Sequence, residues 1–137
     1  MRVRAARDDR GATSAFVVGV AVVLVVLAGL VADGGGALNA RMRLADDLES
    51  AAIAGAQATD EEHLRATGEL RIDPVEAEQR IRDHLAGKGY ESIVYDLTQD
   101  GVLVRARLVV RTKTLNLIGI PEFTLEASAT ANTETLQ

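Results

Sequence analysis

The chain has 137 residues, a formal net charge of -5, 26% charged residues, 3% aromatic residues and no cysteine. The last of these excludes cysteine chemistry, cysteine-ligated zinc and iron-sulfur clusters, and leaves the redox compartment open. Few rings remove the stacking platforms that sugar, nucleotide and single-strand binders use, and an acidic balance provides no basic face for nucleic acid, so no nucleic-acid partner is expected.

Charge is unevenly spread. Arg2, Arg4, Arg7 and Arg10 stand against Asp8 and Asp9 at the start, whereas eighteen acids outnumber eleven bases beyond Ala32. Between them Ala15 to Ala32, AFVVGVAVVLVVLAGLVA, holds eighteen residues without a charge. A helix of that length rises about 27 Å, close to the roughly 30 Å hydrocarbon core of a bilayer. In lipid the backbone must satisfy its own hydrogen bonds, which makes the stretch helical whatever the modest helix preference of valine in water. The four arginines before it, with no base after it until Arg41, predict a cytoplasmic N-terminus and an exterior C-terminal domain. Residues 1–14 thus read as a cytoplasmic basic flank and 15–32 as a single membrane span, with the lipid bilayer as a partner. A cleaved signal peptide is the alternative, which would release an exported binding module. Its apolar core is normally shorter, about 7 to 15 residues, and a cut after Ala32 puts Leu30 where a small residue is wanted.

Asp33 ends the apolar run, and Gly34, Gly35 and Gly36 follow as a candidate hinge within one longer helix. Residues 33–58 then read as a juxtamembrane helix. In Ala37 to Ala58, Leu38, Met42, Ala45, Leu48, Ala52 and Gly55 recur at three- and four-residue spacing and share one face. Ala51 with Gly55 and Ala52 with Ala56 are small-xxx-small pairs that allow another backbone close approach. Ala45, Ala52, Gly55 and Ala56 are the candidate helix-packing residues. Their partner is either this chain's own domain or a second subunit, including a second copy.

Asp9 to Ala12 (DRGA), one apolar helix, Ala32 to Gly34 (ADG) and Leu44 to Ala58 (LADDLESAAIAGAQA) together resemble the TadE/TadG-like proteins of Tad (Flp) pilus systems. The Ala45–Asp46 pair matches that family's Ala-Asp step, and the terminal Ala-Ser-Ala-Thr-Ala run is similar to its C-terminal strand. The resemblance implies a structural component of a pilus or secretion assembly, pilin-like or pseudopilin-like, with other assembly subunits as partners. It also makes Gly11 a candidate processing position. Processed members carry Glu five residues on; here that residue is Phe16, which places the likeness nearer the TadG side, whose anchor is retained. The additional large domain of longer TadG proteins is not expected within 137 residues.

Residues 59–137 read as a small exterior α+β domain. Thr59 to Ile72 is a connection with a helical turn at Asp60 to Arg65. Asp73-Pro74-Val75-Glu76 is a helix start, with Asp73 as cap, Pro74 at the first position and Glu76 completing a capping box. The helix Pro74 to Ala86 has Val75, Ala77, Ile81 and Leu85 on its apolar face. From Glu91 the period changes to two: strand Ser92 to Thr98, a turn at Gln99-Asp100-Gly101, strand Val102 to Lys113 and strand Glu122 to Thr133. A roughly three-stranded antiparallel sheet follows, its apolar face covered by the Pro74 to Ala86 helix, with the end of the long helix as a second candidate cover. Arg105, Arg107, Arg111 and Lys113 form a basic stripe that is either an anion site or a solvated face matched by Glu122 and Glu126. The connection Thr114 to Pro121 carries Leu115, Leu117, Ile118 and Ile120, which either cap the core or form the best candidate for partner or membrane contact.

No catalytic constellation is legible. His63 and His84 stand apart in charged surroundings, Asp46-Asp47 and Glu61-Glu62 have no pocket context, and Gly34 to Gly36 lacks the strand and lysine of a phosphate loop. The expectation is a structural protein without enzyme activity, cofactor or metal.

Overall fold

A computed structural model describes residues 9–133. Arg2, Arg4 and Arg7 of the basic flank lie outside that range. α1 runs unbroken over Asp9–Ala56, 48 residues, or about 72 Å of helix. α2 is Glu61–Thr67, α3 is Pro74–Leu85, and the strands are β1 (Glu91–Leu97), β2 (Gly101–Arg111) and β3 (Glu122–Asn132). A 3-10 turn, Leu115–Ile118, lies between β2 and β3. The fold is α+β, as the switch from helical to strand periodicity predicts.

α1 has two regimes. Residues 11–28 are exposed apart from half-buried Val26, and nothing else among the described residues covers them. From Gly29 onward the helix touches the domain, and its buried positions are Ala37, Leu44, Leu48, Ala51, Ala52, Gly55 and Ala56. This stripe is rotated from the one expected at Leu38, Met42 and Ala45. Leu38 (61% exposed), Met42 (59%) and Ala45 are exposed beside that stripe, and only Leu48, Ala52 and Gly55 of the expected set are buried. The sheet supplies the reason. β3 presents Ala127, Ala129 and Ala131 to the core, and small residues on both partners bring helix and sheet together along the Ala51–Ala56 turns.

The sheet has the order β1-β2-β3, all antiparallel, with β2 and β3 paired without interruption from Gly101↔Asn132 to Arg111↔Glu122. β1 is less regular. Its register shifts between Glu91 and Val94, and Ser92 takes a positive φ of 52°. The core-facing face is covered by α1, which packs on β2 and β3; α3 packs mainly on α1. That reverses the expected order of importance of the two helices. Leu44, Leu48, Ile81, Val102 and Val104 are the largest fully buried side chains and tie the three layers together.

α3 starts as its sequence implies. Asp73 accepts from the N–H groups of Val75 (2.8 Å) and Glu76 (3.2 Å), and Pro74 is the first residue. The reciprocal half of the capping box is absent, because the Glu76 carboxylate pairs with Arg80 (2.6 Å) while the Asp73 N–H donates to the Ala58 carbonyl (2.8 Å). Ala77, Ile81 and Leu85 are buried, whereas Val75 is 75% exposed and does not join that face. The connection between α1 and α3 holds a full short helix rather than a single turn. α2 is capped by Asp60, which accepts from the His63 N–H (2.9 Å), and ends on Gly68 in the left-handed region (φ 77°). A Thr59↔Ile72 bridge closes the excursion at its base.

Asp47 on α1 fastens the chain that leads from α3 into β1. Its carboxylate accepts from Lys88 Nζ (2.6 Å) and from the Tyr90 hydroxyl. The Lys88 and Tyr90 hydrogen bonds hold the Asp47 carboxyl below its usual range, against a smaller opposing effect of burial. Burial, and then the neighbouring Asp47 charge, push the Tyr90 phenol up from 10.0 to about 12. Neutral Tyr90 is the form the fold favours, so its contribution is complete below pH 10 and lost as pH rises towards 12. Phenolate absorbance of a Tyr95→Phe variant, which retains Tyr90, is expected to titrate with a midpoint near 12. A midpoint near 10 would mean the Asp47 contact is not formed.

Candidate functional site

The return from β2 to β3 is the part of the domain that meets the apolar half of α1. Its base is closed by the Thr112 N–H on the Pro121 carbonyl (2.9 Å). The 3-10 turn is held by Leu117 N–H to Thr114 O (3.1 Å) and Ile120 N–H to Leu115 O (3.0 Å), with Gly119 at φ 89° where a side chain would be strained. Three successive backbone N–H groups, those of Lys113 (3.1 Å), Thr114 (2.8 Å) and Leu115 (2.8 Å), converge on the carboxylate of Asp33. One turn earlier, a Cβ at Gly29 would overlap the Thr114 methyl, so glycine there allows the connection to sit against the helix. The Leu115 N–H, with those of Lys113 and Thr114 and the Lys113 charge, lowers the Asp33 pKa against an opposing desolvation.

This docking holds above the usual carboxylate range and is lost as pH falls through the lowered Asp33 value. Asp33→Ala is therefore expected to speed amide exchange at Lys113, Thr114 and Leu115 while leaving the paired amides of β2 and β3 protected. In the wild-type chain the three amide resonances should titrate together at acid pH. Independent titration would count against a shared acceptor.

The turn divides the four apolar residues singled out in this connection. Leu115 is buried at 3% exposure, whereas Leu117 (84%), Ile118 (52%) and Ile120 (41%) are open. Leu115 is therefore buried and the other three form an exposed apolar patch. Of the candidate helix-packing residues, Ala52, Gly55 and Ala56 are buried inside this chain and only Ala45 is exposed. A Cβ at Gly55 would lie 2.9 Å from Ile81 Cδ1 and 3.4 Å from Val102 Cγ1, so the close approach that its small size permits is to α3 and β2. Gly34, Gly35 and Gly36 are part of the continuous helix, and a Cβ at any of them would meet nothing within 4 Å. Gly11 is exposed near the start of α1, its carbonyl accepting from Ser14 Oγ (3.1 Å).

On the outer face of the sheet Arg107 pairs with Glu126 across the strands (2.6 Å), and Arg111 stands opposite Glu122 in register. An open groove of about 590 Å³ lies between α1 and the sheet, lined in part by Arg41, Ala45, Ser92, Arg105, Ala106 and Ala127. Among the described residues no three His, Cys, Asp or Glu gather as metal ligands. Sequence context gives Asp33 two roles, the end of the apolar run and part of the Ala32 to Gly34 step, and gives neither Asp33 nor Gly29 a contact with the far connection. The signal for them is tertiary, since their partners lie about eighty residues away.

The apolar half of α1, a single helix long and apolar enough to cross a membrane, is continuous with the half that carries the domain. Residues 11–58 match the family model Tad, putative Flp pilus-assembly TadE/G-like. The matched stretch is α1 almost entire, and it is the stretch whose motifs carry the resemblance in the sequence. No curated protein and no solved structure matches the chain. The TadE/G-like segment supports a component of a Tad pilus system, with the exposed apolar half of its helix fitting a transmembrane helix.

Proposed function

We propose that the protein is a single-pass, membrane-anchored structural component of a Tad-type pilus or secretion assembly, without enzyme activity, its N-terminus cytoplasmic and its α+β domain outside. The observation that carries this reading is the TadE/G-like match over 11–58, which covers both the apolar half of α1 and the half on which the domain is built. Residues 15–32 act as the span, 33–58 join it to the domain, and 59–137 supply exterior surface for protein contact. Gly34 to Gly36 make the softest point of that joint, each costing helix about 1 kcal/mol relative to alanine. Leu38, Met42 and Ala45, exposed beside the buried stripe of α1, are the surface offered to neighbouring subunits or to a second copy. Retention of the anchor is supported by Gly29, against which Thr114 of the domain packs; a cut after Ala32 would remove that contact and fall inside the unbroken helix.

A strain lacking this chain is expected to lose surface pili and to regain them on complementation. A photo-crosslinker in place of Met42 should capture other subunits of the same system. Undiminished piliation in the deletion strain would overturn the assembly reading. Mass measurement of the mature N-terminus separates the anchor from its alternative: a start near Asp33 means release, a start at Ala12 means pilin-type processing after Gly11, and an intact N-terminus means a permanent anchor.

A further inference from the structure

We propose that the connection between β2 and β3 is a second bilayer contact, with Leu117, Ile118 and Ile120 seated in the interfacial zone of the leaflet through which α1 emerges. This rests on the membrane-anchor reading above. Placement is the first observation. Asp33 fixes the connection at the edge of the apolar run, and Thr114 lies on Gly29, a full turn or about 6 Å further into that run. The patch is thus beside the lipid-facing helix surface, where Leu27 and Leu30 are each 50% exposed, and is continuous with it. Exposure is the second observation. Leu117 is more exposed than any other large apolar side chain among the described residues. The third is backbone satisfaction. The N–H groups of residues 112–115, 117, 119 and 120 are hydrogen-bonded within the chain, which removes most of the penalty for leaving water. Lys113 and Arg111, both exposed at the base of the connection, are placed to meet anionic headgroups. Continuity with the span makes lipid, rather than a protein groove, the occupant.

The absence of cysteine permits site-directed nitroxide labelling of the full chain. Variants L117C and I118C would be reconstituted in vesicles of phosphatidylcholine with a minority of phosphatidylglycerol, beside V23C in the span and T124C on the outer face of β3. Relaxation by oxygen, which partitions into lipid, is compared with relaxation by a water-soluble nickel chelate. The expected result is that positions 117 and 118 resemble 23, with an oxygen-to-nickel ratio several-fold above that at 124. If 117 and 118 are as open to nickel as 124 while 23 is embedded, this inference fails and the anchor stands. Nickel access at 23 itself would overturn both. Protection of 117 and 118 from oxygen and nickel alike would mean protein covers the patch, and would also overturn it.

Discussion

Gly55→Leu is expected to destabilise the domain by about 1–3 kcal/mol, the usual cost of forcing extra methylenes into a closed core. The site is the crossing of α1 with α3 and β2. Even a Cβ there comes within 2.9 Å of Ile81 Cδ1, 3.0 Å of Ile81 Cγ1 and 3.4 Å of Val102 Cγ1. Ile81 and Val102 are fully buried, so neither can swing out to make room for a leucine. For a domain of this size each kcal/mol moves the melting temperature by about 4–8 °C, so thermal unfolding of the detergent-solubilised chain resolves the effect. Gly55→Ala should behave differently. It meets the flexible end of Ile81 and gains about 1 kcal/mol of helix propensity, which leaves it near neutral. Combining Gly55→Leu with Ile81→Ala is expected to cost less than the two changes separately, because the leucine enters the space the isoleucine leaves. Strict additivity would place the two side chains apart. Taken as a surface for a second subunit, the small-residue pattern in this part of α1 predicts that a bulky residue at Gly55 impairs assembly and spares the domain. Its burial against Ile81 and Val102 reverses that expectation: the domain itself is the first casualty.

Val23→Arg carries the largest expected effect on location. Val23 lies near the middle of the apolar run and is 56% exposed on a helix surface that nothing else among the described residues covers. An arginine at the centre of a spanning helix costs about 2.5–3.5 kcal/mol of insertion free energy, roughly a hundredfold in partitioning. The variant is expected to lose resistance to alkaline extraction and to fail to float with liposomes, while urea unfolding of its α+β domain is unchanged. Val75→Arg, at a still more exposed valine on α3, serves as the control and should remain membrane-bound. Equal flotation of the two variants would remove the support for a transmembrane α1.

Much of this fold is legible in the residues. The eighteen-residue apolar run, the Asp73-Pro74 start and the alternation along β2 and β3 each depend on neighbours a few positions away, so local pattern specifies them. Pairing follows too, since strands with one apolar face and short connections have few alternatives to an antiparallel sheet. The likeness of residues 11–58 to TadE/G-like proteins is likewise carried by local motifs and the apolar run.

Which face of α1 is covered was not legible. Leu38, Met42 and Ala45 have helical spacing as good as that of Leu44, Leu48 and Ala51, and periodicity cannot say which of two neighbouring stripes meets a sheet. The decision came from shape: the alanines of β3 accept the small-residue side of the helix, leaving the Leu38–Met42 stripe outside. The division within Thr114 to Pro121 is of the same kind. Composition marks four large apolar residues, but only the turn geometry buries Leu115 and exposes Leu117. Asp33 is the clearest case. By itself the sequence determined that the apolar helix ends there. Only the tertiary structure decided that the terminating carboxylate also holds the far connection of the sheet, because three backbone N–H groups some eighty residues away leave no trace in side-chain pattern.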